Sequence, residues 1–315
     1  MSENPDRALP AWILDRFGPE PTERLIGHPR FVDALKMSTL GALAHYEADR
    51  TISDILKDLG RFYVGVLCVY LHATPGGLTL SRLRTLCDQS QTISATAAEA
   101  LLGYMRDIGF VEPVSAQPDR RALVLAPTAA LWDNLRDRMR LEVAAAALLE
   151  PRLGPLLAAW EAPETFAAFM AVQGRDAVVI AGLDRGPPTG LGILFSRNAG
   201  PLLLMAIMAG AGPEDDFPPQ GRLRLSMNAL AQAFDVSRAH VARFVAAGEE
   251  AGYFERLGDG RELRFTPELR EILRGFYART YAQSIAAGLE AMGRLGLGEP
   301  PNSGGNLTES NRALL

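Results

Sequence analysis

The sequence predicts a mainly α-helical protein with two small β-hairpins, built as two similar units that pair within one chain through long packing helices. Three observations carry this. The stretches ALLGYMRDIGFVEPV (Ala100 to Val114) and RFVAAGEEAGYFERL (Arg243 to Leu257) both read as an amphipathic helix ended by glycine, then an aromatic, an apolar residue and glutamate. Each is followed by a short strand-like run, RRALVLAP (Arg120 to Pro127) or GRELRFTP (Gly260 to Pro267). Each copy then closes with a long helical pattern, and self-similarity of this kind is the signature of a duplicated architecture.

In chain order, residues 1–27 form an extension, 28–150 a first unit, 151–162 a linker, 163–292 a second unit and 293–315 a flexible tail. Residues 1 to about 20 and the tail are rich in Pro, Gly, Ser and Asn, a composition expected to be mobile. Within the units, RFYVGVLCVYLHA (Arg61 to Ala73) lies under RNAGPLLLMAIMA (Arg197 to Ala209), and Ser94 under Ser237. The hairpin runs align Pro127 with Pro267, with the first copy's loop three residues longer. RDAVVIAGLDRG (Arg175 to Gly186) is expected to be helical, like its alanine-rich counterpart in the first unit.

The second unit is the easier to follow. LSMNALAQAF (Leu225 to Phe234) has the spacing of a short helix, and Asp235-Val236-Ser237 is a turn that can cap the next one. Val241, Phe244, Val245 and Gly248 mark its inward face, and Gly252 stops it. YFERL and ELRFT joined by GDGR read as a hairpin, since Asp-Gly is a strong turn signal. Pro267 then opens a helix at a position where its missing N–H is harmless. Two helices, a hairpin and a returning helix make a winged helix-turn-helix, so the expected fold is mainly α with small β-hairpin wings, two such units forming an intrachain pseudo-dimer.

Composition bounds the function. A chain of 315 residues with 48% hydrophobic and 22% charged residues is long enough for about two ordinary cores. The net charge of −5 argues against a uniformly cationic nucleic-acid coat but leaves room for a local basic face. Cys68 and Cys87 stand outside any CxxC or Cys/His cluster, so no disulfide framework or metal site is expected. The four histidines, His28, His45, His72 and His240, fit no HExxH, and no G-x-S-x-G elbow occurs. No catalytic residue, metal or cofactor is expected. Nor is a secretory signal or membrane span, because the most apolar run, Pro201 to Gly212, is too short to cross a bilayer. A cytoplasmic, nucleoid-associated protein is the expectation.

A recognition helix turns its first residues to the major groove and its opposite side to the preceding helix. With Val241, Phe244 and Val245 inward, Ser237, Arg238, His240 and Arg243 face outward. Serine bonds phosphate, and arginine bonds phosphate or the O6 and N7 of guanine. In the wing, Arg256 and Arg261 are placed to neutralise phosphates or enter the minor groove. The first unit is weaker: Ala95, Ala97 and Ala100 stand where Arg238, His240 and Arg243 stand in the second, and Glu99 repels phosphate. Ser94, Thr96, Arg120 and Arg121 remain as backbone contacts. Trp132, Trp160, Tyr277 and Tyr281 have helical spacing that suits core packing better than an effector cleft.

The signature V-S-R-x-x-V-x-R, then E-E-A-G-Y-F-E, a charged turn and L-R-F-T-P, resembles the winged domains of the MarR (multiple antibiotic resistance regulator) family. The resemblance is closest over Ser226 to Pro267 and departs from the family in its tandem length and alanine-rich first helix. It implies a sequence-specific regulator of transcription whose partner is double-stranded DNA, with a small-molecule effector and either a homodimer or a monomeric pseudo-dimer. The alternative is a winged-helix module that binds protein and no DNA.

Overall fold

The computed structural model describes residues 11–90, 93–114, 123–181, 190–212, 215–258 and 260–298. In the first part of the chain come α1 (Ala11–Phe17), α2 (Pro19–Ile26), α3 (Phe31–Ala48), α4 (Arg50–Ser53), α5 (Leu59–His72), β1 (Leu78–Thr79), α6 (Leu80–Ser90), α7 (Ala95–Asp107), β2 (Val111–Pro113), β3 (Val124–Pro127) and α8 (Ala129–Ala147). There follow α9 (Gly154–Ala158), α10 (Pro163–Ala181), α11 (Gly192–Phe195), α12 (Gly200–Ala209), β4 (Leu223–Arg224), α13 (Met227–Ala233), α14 (Arg238–Glu250), β5 (Phe254–Leu257), β6 (Glu262–Phe265) and α15 (Pro267–Leu295). The molecule is mainly helical, with two antiparallel three-stranded sheets ordered β1-β3-β2 and β4-β6-β5. None of its described helices is long and apolar enough to cross a membrane.

The same local chemistry builds both halves. Ser94 Oγ accepts from the Ala97 N–H at 3.2 Å and Ser237 Oγ from the His240 N–H at 3.1 Å, so each serine caps its helix. Both helices end at a glycine in the left-handed region, Gly109 at φ 77° and Gly252 at φ 74°, where a side chain would be strained. Thr128 and Thr266 then tie the incoming long helix back, each donating its hydroxyl to that glycine's carbonyl at 2.9 Å.

Those threonines correct the expected alignment. Thr128 is the partner of Thr266, and Leu125 pairs with β1 as Leu263 pairs with β4, so Pro127 matches Phe265 and the alignment of Pro127 with Pro267 is two residues off. The two prolines do different work. Pro127 closes a strand opposite Val111, whereas Pro267 starts α15.

The halves share one continuous core rather than two. Helices α3 and α8 pack together, as do α10 and α15. Across the halves, α3 lies on α12, α10 on α5, and α8 on α15. Close approach needs small residues: a Cβ on Gly174 of α10 would sit 2.4 Å from the Tyr70 ring of α5. Buried polar groups stitch the seam, with Tyr281 of α15 donating to Ser38 of α3 at 3.0 Å and Ser38 to Glu142 of α8 at 3.2 Å. The 151–162 segment is no loose spacer, because Leu153, Leu156 and Trp160 are fully buried and the Trp160 Nε1–H donates to the Arg136 carbonyl at 3.1 Å. Cys68 and Cys87 are buried thiols that burial pushes up to about 12 and about 11, which leaves them protonated at neutral pH.

The expectation that residues 1 to about 20 are mobile fails from residue 11 onward. Ile13 and Phe17 of α1 are buried against α15, and Pro19 begins α2, which also lies on α15. Arg16 anchors them, 3.3 Å from Glu290 of α15 and 3.5 Å from Asp176 of α10. Apolar side chains at helical spacing outweigh the proline-rich composition. The hydrogen-bonded guanidinium of Arg175 holds the Glu290 carboxyl at about 2 against its ordinary 4.5, with Arg294 adding to the effect. A carboxyl with a depressed folded value gives stability that is full above its unfolded value and is lost as pH falls through the folded one. Acid titration should therefore reveal a loss of stability between about pH 4.5 and about pH 2 that Glu290→Gln flattens.

Behind α14, a Cβ on Gly248 would lie 2.2 Å from the Phe254 ring, so helix and sheet meet there with no room for a methyl group. Gly248→Ala should cost about 1–3 kcal/mol by overpacking, read as a lower urea midpoint with an unchanged slope.

Candidate nucleic-acid interface

Helix α14 separates its faces cleanly. Val241, Phe244 and Val245 are fully buried, which leaves Ser237, Arg238 and Arg243 exposed. Neither Arg238 nor Arg243 makes a side-chain hydrogen bond or ion pair with a described residue. With no partner among the described residues, they present two cations on one helix, Arg238 in the first turn at the positive end of its dipole and Arg243 in the second turn. The Ser237 hydroxyl accepts the capping bond and keeps its own proton to donate outward.

The remaining expected residues divide. His240 is half-buried, and its Nε2 lies 2.8 Å from the Asn198 carbonyl oxygen; since that oxygen only accepts, the ring donates and is committed to the loop before α12. On β5, Arg256 forms a two-pronged pair with Glu249 at 2.9 and 2.6 Å. An exposed pair of this kind is worth about 0–1 kcal/mol, so a phosphate can compete for it. Arg261 is exposed and has an interaction partner of its own. Arg264 and Arg222 are likewise engaged by Glu255 and Glu262. Sequence reasoning overlooked Arg224, an exposed cation of β4 without a side-chain partner among the described residues. Strand β4 has only two residues, too few to show the alternation that would have marked it.

In the first half Ser94 and Thr96 are exposed at the start of α7, while Arg120 and Arg121 lie outside the described residues. The outward face of α7 differs from that of α14. Ala97, Ala100, Leu101 and Tyr104 open on a groove also lined by Asp54, Ile55, Lys57, Arg61, Asn198 and Asp235. Arg84 on α6 is paired with Glu99 at 3.3 Å.

The two halves meet again at the turn before α14. Asp235 holds a left-handed φ of 46°, tolerable for an aspartate. The turn is gripped from the first half: Lys57 Nζ donates to the Phe234 carbonyl at 3.1 Å and to that of Asp235 at 3.4 Å, and Arg50 donates to the Ala233 carbonyl. The Tyr46 ring packs on Phe234 with centroids 5.3 Å apart.

Beside this grip a cavity of about 330 Å³ opens between α3, α5 and α8 on one side and α10, α12 and α15 on the other. Of the four aromatics considered for a cleft, only Tyr277 lines it; Trp160 and Tyr281 have no exposed surface, and Trp132 packs edge-on to Phe166. Comparison with known proteins finds no matching family model, no matching curated protein and no matching solved structure.

Proposed function

We propose that the chain is a sequence-specific DNA-binding regulator of transcription. Each half is a winged helix-turn-helix, the two pair as an intrachain pseudo-dimer, and α14 enters the major groove. The observation that carries this is the pair of exposed arginines in the first two turns of α14, without a side-chain partner among the described residues and backed by a buried stripe on the opposite face. The shared order helix, strand, helix, helix, hairpin, helix in each half supports the winged assignment. Arg238 and Arg243 read guanine or grip phosphate, Ser237 donates to phosphate, and Arg224, Arg256 and Arg261 supply the flank. In the first half, Ser94 and Thr96 make the weaker backbone contact. The chain needs no catalytic step and no cofactor for this role, and a small-molecule effector is its second partner.

A protein-binding role has its own support on the first half, where α7 turns an apolar face with Tyr104 half exposed to a groove that carries both acidic (Asp54, Asp235) and basic (Lys57, Arg61) residues. Selection from a pool of random duplexes separates the two. Enrichment of one motif over successive rounds supports DNA recognition; a pool that stays random favours the protein-binding module.

A further inference from the structure

Buried polar groups in folded proteins nearly always have a partner, and here the exceptions gather in one place. Nine buried side-chain nitrogens and oxygens among the described residues lack a hydrogen-bond partner, although one of them, Asp176 Oδ2, has Arg16 at 3.5 Å as an ion-pair neighbour. Six of them, on His45, Tyr63, Asn134, Arg138, Gln173 and Ser284, belong to residues that line the cavity between the halves. The other three, on Asp176, Arg197 and Arg274, do not.

The kind of occupant follows from which atoms are unused. Asn134 Nδ2 and Arg138 Nη1 are donors with no acceptor capacity, and at i and i+4 they stand one turn apart on the same face of α8. Arg138 already gives Nη2 to Glu142 at 2.7 Å, and Ser38 donates to the other Glu142 oxygen, so that carboxylate is satisfied while one arm of the fork is left over. Burial and the nearby Arg138 lower the His45 pKa against an opposing contact from the Asn134 side chain, so a neutral ring stands beside the Asn134 amide. Two spare donors on an arginine and an amide suit a carboxylate, and the arginine repels an ammonium group. The wall is apolar over Phe62, Met139, Met205 and Phe276, and it also carries Lys57, Asp58 and Glu142. An apolar cavity of 150 Å³ takes benzene, so one of about 330 Å³ takes roughly a dozen non-hydrogen atoms.

Two lining residues also touch the turn before α14. Tyr46 packs on Phe234, and Lys57 donates to the carbonyls of Phe234 and Asp235. We propose that the cavity binds one amphipathic carboxylate per chain, its acid head on Asn134 and Arg138 and its apolar body toward Phe276 and Met205. The occupant presses on Tyr46 and Lys57 and so stiffens the α13–α14 turn. Only the consequence for DNA rests on the proposed function; binding and stiffening do not.

Decanoate, with its ten carbons and one carboxylate, is the test probe, with decylamine and 1-decanol as controls. Titration calorimetry on the full chain should show one decanoate site, at least tenfold tighter than decanol, and none for decylamine. Asn134→Leu should weaken decanoate at least tenfold, and Ala177→Phe, which fills the cavity from α10, should remove binding. Hydrogen exchange over residues 234–240 should slow at saturating decanoate, and Lys57→Met, again measured at saturation, should abolish the slowing. Equal binding of decanol and decanoate, binding that survives both cavity variants, or no binding at all would overturn the site. Binding without slower exchange at the turn would overturn the linkage. No DNA enters these measurements, so their failure is distinct from a failure to recognise a duplex.

Discussion

Replacing Arg238 and Arg243 together with alanine should weaken the chain's binding to its selected duplex by about 2–6 kcal/mol, since a base-contacting arginine is worth about 1–3 kcal/mol. The thermal midpoint should hardly move, because neither side chain has a partner within the described protein and both stand in solvent. Anisotropy titrations at fixed salt measure the first quantity and calorimetric melting the second. Arg256→Ala makes a useful contrast. That arginine must first leave Glu249, so its loss should cost less affinity than the loss of either α14 arginine. Unchanged affinity in the double variant would remove α14 from the interface.

The second large effect lies in the seam between the halves. Glu142 is buried, taking Arg138 at 2.7 Å and the Ser38 hydroxyl, which in turn accepts from Tyr281 of the other half. Glu142→Ala strands a largely buried guanidinium, and breaking one side of such a pair typically costs about 3–5 kcal/mol. Replacing both partners, as Arg138→Met with Glu142→Leu, should cost less than the single change, because no lone charge then remains. Urea unfolding of the single and double variants checks the order. If the double variant is the less stable of the two, the pair contributes more than mutual neutralisation.

Much of the second half was legible from residue order alone. The Ser237 cap, the Val241, Phe244 and Val245 stripe and the Gly252 stop are local signals, each set within a few residues, and they appear in α14 as read. What escaped was either too short or too distributed. Strands β1 and β4 have two residues each and cannot display a period. Helix α1 hid behind Pro10 just before it and α2 behind its own prolines, although Pro19 sits at a first helical position where it does no harm. The two-residue slip of β3 arose because two prolines look alike in a sequence and only hydrogen bonding tells a strand end from a helix start. His240 faces outward by periodicity, yet Asn198, 42 residues earlier, comes to meet it. The grip of Lys57 on the turn and the cavity beside it draw on both halves, so no local pattern announces them.

The central claim, that the leading end of α14 meets the duplex, is tested most directly by placing a cleavage reagent there. Iron-EDTA attached through Arg238→Cys can be installed selectively, since Cys68 and Cys87 are buried. On the selected duplex it should cut within a few base pairs of one position in each bound complex, while the same reagent at Asp15→Cys on exposed α1 should leave the DNA whole. Cutting from position 15 with none from position 238, in a complex that still binds, would contradict the proposed orientation.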